Sequence, residues 1–215
     1  MAVYIARVTR GNIYSSPYYL AYNSYTAGDY DLGMPNCTAY AYGRWNEISR
    51  VTSNPYWPMT GAGKDWYWQG QAGGYQVSGA GVWNPQVGAA ISWTYGDDGH
   101  VAIVEQMHRD VNNNVDFIVC SNQAWRRQPD HMAGCPADFD WQDPTTGWAN
   151  GFPFFYLTRI YASDPDDGHG AGAFNGFVYH PDFPPGVTPT PPSGERKNCI
   201  WMVSLPTQLR RLRWQ

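Results

Sequence analysis

The run PNCTAYAYGRW, residues 35–45, decides how the rest of the chain is read. A cysteine opens it, and aromatic residues crowd in behind. In the longer stretch NCTAYAYGRWNEISR, Cys37, Ala41, Arg44 with Trp45, and Ile48 recur at spacings of three and four, the period of a helix. Asn36 stands just before the first periodic residue and predicts an N-cap. Gly43 inside the run weakens the helix. Two chemistries fit Cys37. Cysteine is among the most buried residue types, so a small core residue is one of them. A nucleophile is the other. The unpaired N–H groups and the positive dipole end at a helix N-terminus both favour a thiolate.

Downstream the pattern changes to strands. VGAAISW (87–93), HVAIVEQM (100–107) and NVDFIVCSN (114–122) read as three strands, with a turn at YGDDG and a hairpin at VNNN. FPFFYLTRIY (152–161) and FNGFVYH (174–180) supply two more. Residues 1–36 read as loop with one short strand, and 52–86 as loops with one short helix. Helix first and hairpin-linked strands after it predict an α+β class.

The chain has 215 residues, which suits one domain of ordinary size plus a tail. We expect that domain over residues 1–183, a Pro-rich linker over 184–198 (PGVTPTPPSGERKN within it), and a short tail over 199–215, disordered or truncated. The net charge of −4 argues against an electrostatic grip on nucleic acid. No segment has the apolar length of a membrane span. The N-terminus, MAVYIARVTRGN, does not read as a signal peptide. The four cysteines are widely spaced without a CxxC pair, which demands neither a disulfide scaffold nor a zinc ribbon. Nothing compels more than a monomer.

A thiol nucleophile needs a base, and the base needs an orienting group. His100 opens a strand directly after a Gly/Asp turn, where a side chain is both held and accessible. On the next strand Ile118, Cys120 and Asn122 share a face by alternation, and Asn122 sits near the strand end. Glu105, five residues from His100 on one strand, falls on the opposite face. The N–H of Cys37, with the Asn36 side chain, is placed to stabilise an oxyanion.

PNCTAYAYGRWNEI, then NPQVGAAISW, GHVAIVEQ and FNGFVYHPDF, in that order, resemble a CHAP domain of the phage-lysin type. CHAP domains are cysteine- and histidine-dependent amidohydrolases/peptidases. The resemblance implies a papain-like (NlpC/P60-like) fold with N-terminal helices packed on a small antiparallel sheet. It implies hydrolysis of an amide in bacterial peptidoglycan, as an N-acetylmuramoyl-L-alanine amidase or an endopeptidase. Cys37 is then the nucleophile and His100 the general base, with no cofactor. A phage endolysin or tail-associated lysin made in the host cytoplasm fits, acting on the wall after holin release or from the virion. The family usually closes the strand after the histidine with Glu-x-Asn or Glu-Ser-Gly-Trp. VCSNQAW departs from that, and either alignment leaves Asn122, not a carboxylate, nearest His100. A weak or inactive wall-binding module, or a thiol amidase for a soluble substrate, are the alternatives.

Other motifs carry less. Trp57, Trp66, Trp68 and Trp83 lie between nucleophile and base, where papain-like loops border the cleft. They are candidates for stacking on sugar or covering stem peptide, with anchoring of loops to the core as the competing reading for each. Asp29 and Asp31 alternate like calcium ligands, and some CHAP lysins hold calcium in this region. The run lacks the later acidic ligand, so a solvated turn is expected and no metal site. DPDDGHG (164–170) reads as an exposed loop. His131 and Cys135 lack a partner pair for zinc. Cys120 and Cys135 read as buried thiols more readily than as a disulfide. TGAGKD (60–65) has Pro58 and Asp65 where a phosphate loop needs Gly and Ser or Thr.

Overall fold

The computed structural model of the protein describes residues 4–7, 16–25, 36–53, 55, 57–123, 155–167 and 172–186. Helix α1 spans Cys37–Ser49, followed by a 3-10 turn over Gly63–Asp65 and helix α2 over Trp66–Ala72. Six strands follow: β1 Val77–Gly79, β2 Ala90–Trp93, β3 His100–Arg109, β4 Val115–Asn122, β5 Tyr156–Tyr161 and β6 Phe174–Val178. They form one sheet in the order β1-β6-β2-β3-β4-β5, antiparallel throughout. The class is α+β, as the sequence predicts.

The helix at the opening motif forms for the reasons its sequence gives. Asn36 is extended, and its Oδ1 accepts from the N–H groups of Thr38 and Ala39 at 2.8 and 3.2 Å. Arg50 closes the other end in the left-handed region, its N–H reaching the carbonyls of Asn46 and Glu47. Gly43 is explained by packing: a Cβ there would run into the Tyr19 ring, which lies directly on the helix. Thr38 through Asn46 are all buried, so α1 is enclosed nearly all round.

That enclosure forces its polar residues to find partners. Asn46 donates to the carbonyls of Tyr18 and Tyr22 and accepts from Trp57 Nε1 at 2.7 Å. Arg44 meets Glu105 of β3 in two parallel bonds, Nε to Oε1 at 2.8 Å and Nη2 to Oε2 at 2.9 Å.

Alternation along the strands separates two layers. Ala90, Val101, Ile103 and Val178 face α1 and α2, against Ala41, Trp45, Trp57 and Trp66. Ile91, Trp93, Ala102, Val104, Ile118 and Cys120 pack on the opposite face. Every residue of β2 is buried, the polar Ser92 included. The 110–114 hairpin is fixed by Asp110 Oδ1, which accepts from the N–H groups of Asn112 and Asn114 at 2.8 Å each, with Asn113 at φ 67°.

Three differences from the sequence reading stand out. β1 was not foreseen; it has three residues and exists by pairing with β6. The strands read over 87–93 and 174–180 are trimmed to β2 and β6. Residues 4–7 and 16–25 hold no strand. Cys120 is a buried, unbridged thiol. The tail beyond 186, Asp29, Asp31, His131, Cys135 and Cys199 lie outside the described residues. No helix among the described residues is long and apolar enough to cross a membrane.

His180 shows how tightly the far end of α1 is held. Its ring is fully buried, 5.0 Å from Trp45, 5.9 Å from Trp57 and 6.0 Å from Phe183. Nδ1 accepts from the Asp182 N–H at 3.2 Å, so Nε2 carries the proton toward the Trp45 carbonyl and Ser49 Oγ. Burial lowers this neutral imidazole's pKa to about 4. The unfolded chain, near 6.5, therefore takes the proton first, and stability present above that pH is lost as pH falls toward 4. We expect the protein to lose on the order of 3 kcal/mol more than His180→Gln between pH 7 and pH 4 in urea denaturation. Parallel curves would mean that His180 titrates normally.

Candidate active site

Cys37 is the first residue of α1 and is partly exposed. Desolvation dominates its thiol and pushes the pKa up to about 11. Backbone hydrogen bonding from Val101, Thr38 and its own amide opposes this, and the charge of Asp98 reinforces it. The contact with Val101 is the informative one. It sets the thiol against the backbone of β3, one residue beyond His100. The helix terminus alone does not leave a thiolate at neutral pH; a base has to take the proton.

His100 opens β3 and is 5 % exposed. Its ring lies 5.9 Å from that of Trp93, its partner on β2, at 30°. Two glycines hold its backbone. Gly63 lies so close that a Cβ would sit 2.7 Å from the His100 carbonyl carbon. Gly99, at φ 66°, meets the Trp93 carbonyl and the Lys64 backbone where a Cβ would be. Lys64 N–H donates to the Asp98 carbonyl at 3.1 Å, and Ser92 Oγ donates to the Gly63 carbonyl at 2.8 Å. The TGAGKD run, which fails as a phosphate loop, is the bracket that fixes the start of β3.

Asn122 ends β4, fully buried. The β3–β4 register pairs Val104 with Cys120 and Ile103 with Ser121. One step further sets Asn122 opposite Ala102, on the face of the sheet that His100 shares. Asn122 Nδ2 donates to Thr158 Oγ1 of β5 at 3.0 Å. Its Oδ1 is buried with no hydrogen-bond partner among the described residues, which leaves an acceptor on the histidine's face. Glu105 is engaged elsewhere, accepting from Arg44, Ser121 Oγ at 2.6 Å, Tyr4 OH at 2.7 Å and Arg7 N–H at 2.8 Å.

Asn36 is exposed, and its Oδ1 is taken by the helix cap and by Thr38 Oγ1. Only its Nδ2 can donate to an oxyanion. The Cys37 N–H stays with the helix terminus.

The four tryptophans separate. Trp66 has no accessible surface and Trp57 is 8 % exposed; both lie in the core between α1, α2 and the sheet, with no open ring face for a sugar. Trp83 donates to the Val115 carbonyl at 3.1 Å and packs on Phe177. It lies beside Met107 and Val115 in a cavity at the opposite end of β3, roughly 23 Å from His100 by strand rise. Trp68 alone is open, at 56 % exposure, edge-on to Tyr67.

Two residues near the thiol were not foreseen. Tyr25 interacts electrostatically with Cys37 and hydrogen-bonds Thr38. Its hydroxyl lies 2.8 Å from the Gly61 carbonyl and accepts from Trp66 Nε1 at 3.2 Å. Nothing in YLAYNSY distinguishes it from its neighbours. Asp98 was read only as part of a turn. No group of three or more His, Cys, Asp or Glu among the described residues could hold a metal ion. Asp166 instead ties its loop to β6, accepting from the N–H groups of Phe174 at 2.8 Å and Gly172 at 3.1 Å.

The family model described as CHAP domain matches residues 25–123, which span α1 to the end of β4 and include Cys37, His100 and Asn122. Those matched residues form a CHAP domain. Among solved structures, an N-acetylmuramoyl-L-alanine amidase from Staphylococcus aureus is similar at 21% identity and a TM-score of 0.40. The match covers 66% of this chain and 30% of that one, so this chain spans less than a third of that structure's length. Comparison with curated proteins finds no match.

The raised thiol pKa has a direct consequence. Alkylation of Cys37 by iodoacetamide, followed on the Cys37 peptide by mass spectrometry, should keep rising from pH 8 to pH 11, where an ordinary thiol has levelled off. A rate already flat at pH 7 would mean a preformed thiolate.

Proposed function

We propose that this CHAP domain is a cysteine-dependent amidohydrolase of bacterial peptidoglycan, with Cys37 as nucleophile, His100 as general base and Asn122 as the group that orients the imidazole. The observation that carries the reading is the contact between the Cys37 thiol and the Val101 backbone, which sets the N-terminus of α1 against the first residues of β3. The acceptor at Asn122 Oδ1, on the face His100 shares, supports a Cys-His-Asn arrangement. The catalytic domain runs to Phe183, whose ring packs with Tyr4 and Val87; the linker and tail follow.

The chemistry follows from these positions. His100 takes the thiol proton as Cys37 Sγ attacks the amide carbon. The Cys37 N–H, with Asn36 Nδ2, bonds the oxyanion. Collapse breaks the C–N bond, and His100 returns the proton to the leaving amine. Water deprotonated by His100 then cleaves the thioester, releasing the acid and restoring the thiol. Asn122 can hold the ring but carries no charge to stabilise imidazolium. A muramoyl-L-alanine amide or a stem-peptide bond in a phage-type lysin is the reading the ordered motifs favour.

Incubation with peptidoglycan from several Gram-positive species should free new amino groups, identified by mass spectrometry, and the fragment masses name the bond. His100→Ala should slow release by about 10²–10⁴-fold, and Cys37→Ala should abolish it. The high thiol pKa and the missing carboxylate favour one rival, a wall-binding module without turnover. Protein that pellets with walls while neither it nor Cys37→Ala frees amines would establish that rival.

A further inference from the structure

A cavity of about 670 Å³ lies at the end of β3 away from His100, within the size range of small-ligand sites. The loop before β2 supplies one wall through Trp83 and Asn84. The end of β3 and the β3–β4 hairpin supply the other through Met107, Arg109, Asn114 and Val115. Trp83, Met107 and Val115 pack on the hydrophobic core yet stay only partly buried, and all three line this space.

Both walls are fixed by contacts within the chain. The Trp83 ring is braced edge-on against Phe177 at 5.5 Å, and its Nε1 donates to the Val115 carbonyl at 3.1 Å. The Tyr179 hydroxyl donates to the Asn84 carbonyl at 2.7 Å. Arg109 Nη1 donates to the Asn113 carbonyl at 2.7 Å, within the hairpin that Asp110 ties. A ligand therefore meets groups that are already ordered, which lowers the cost of binding.

The lining selects the ligand. The indole N–H is engaged by Val115, so Trp83 offers the cavity ring carbon. Beside it stand the exposed side-chain amides of Asn84, Asn113 and Asn114. An amide both donates and accepts, which suits hydroxyl and acetamido groups. Arg109 adds donors and forms no ion pair with another described residue. No carboxylate is among the described lining residues. One cation is too few to hold a polyanion. An extended peptide would pair with an open strand edge, and neither edge strand, β1 or β5, contributes to the lining. A sugar, with an apolar C–H face inside a rim of hydroxyls, matches a ring carbon surface bordered by amides.

We infer that this cavity is a second, non-catalytic site that binds a neutral oligosaccharide of N-acetylated hexosamines, the glycan of the polymer whose amide is cut at Cys37. The saccharide site stands by itself; its link to cleavage rests on the hydrolase reading. Roughly 23 Å of strand separates it from His100, so Trp83 does not touch the scissile amide. It holds the polymer while the other end of β3 works on it, which raises the effective concentration of wall at the thiol.

The test separates the site from the hydrolase. The β-1,4-linked trisaccharide of N-acetylglucosamine is titrated into the full chain and followed by NMR. The Trp83 indole N–H, assigned with Trp83→Phe, and the side-chain amides of Asn84 and Asn114 should shift and saturate. Arg109→Ala, a change at an exposed residue, should weaken this binding about tenfold. No saturable shift at these signals overturns the inference. So does a synthetic peptide of residues 187–194 that moves them when the trisaccharide does not, because the cavity would then belong to the chain's own Pro-rich run. In parallel, Arg109→Ala should lower kcat/KM about tenfold on intact walls and leave it unchanged on soluble wall fragments too short to reach both sites. An equal loss on both substrates also overturns it, since a structural defect acts on both. Saccharide binding without hydrolysis of either substrate would sink the hydrolase reading and leave the cavity assigned.

Discussion

The ion pair between Arg44 and Glu105 is the constraint on which the rest of the molecule turns. Both side chains are buried, one in the middle of α1 and the other on β3. Their two parallel bonds join the helix that begins at Cys37 to the strand that begins at His100. Glu105 also accepts from Ser121 of β4 and from Tyr4 and Arg7 of the N-terminal segment, and Arg44 also donates to the Ile5 carbonyl at 2.6 Å and to Glu47 at 2.8 Å. Burial alone would raise the Glu47 pKa, but Arg44 and Arg7 hold it below the usual carboxylate range. Such a network is costly to desolvate, and removing one member strands the others in a medium that cannot solvate them. It therefore tolerates one placement of α1 on the sheet, and that placement brings the Cys37 thiol to the Val101 backbone.

Around this clamp the site is assembled from backbone more than from side chains. Gly63 and Gly99 let the 3-10 turn and the β2–β3 turn close on the start of β3 at distances no side chain would allow. His100 is held by that closeness and by Trp93. Burial keeps the Cys37 thiol protonated at rest. A thiol in this state is inert toward casual electrophiles and gains reactivity only when a base and a substrate are both in place. In the proposed set Asn122 offers an acceptor in place of a carboxylate.

The sequence disclosed what depends on local pattern. The helix at Cys37, its Asn36 cap and the succession of strands follow from periodicity and capping chemistry, and the order of four motifs pointed to the CHAP domain. What it hid depends on contacts distant along the chain. Gly43 looks like a flaw in a helix until Tyr19 is seen lying on it. β1 has too few residues to show a period and exists only because β6 offers an edge. Glu105 could be placed on the face away from His100 by alternation, but no pattern announced its pairing with Arg44. Trp57, Trp66, Trp68 and Trp83 look alike in sequence. Burial alone separates the two in the core from Trp83 at the far end of β3 and from Trp68 in the open.

The most direct test of the clamp is a double-mutant cycle of Arg44→Met and Glu105→Gln, with stability measured by urea denaturation. If the pair fixes α1 on β3, each single change should cost about 3–5 kcal/mol, because it leaves a buried charge unmatched. The double variant should then lose at least about 2 kcal/mol less than the sum of the two. Losses that add to within about 0.5 kcal/mol would show that the two groups act independently, and that something else positions the helix carrying Cys37.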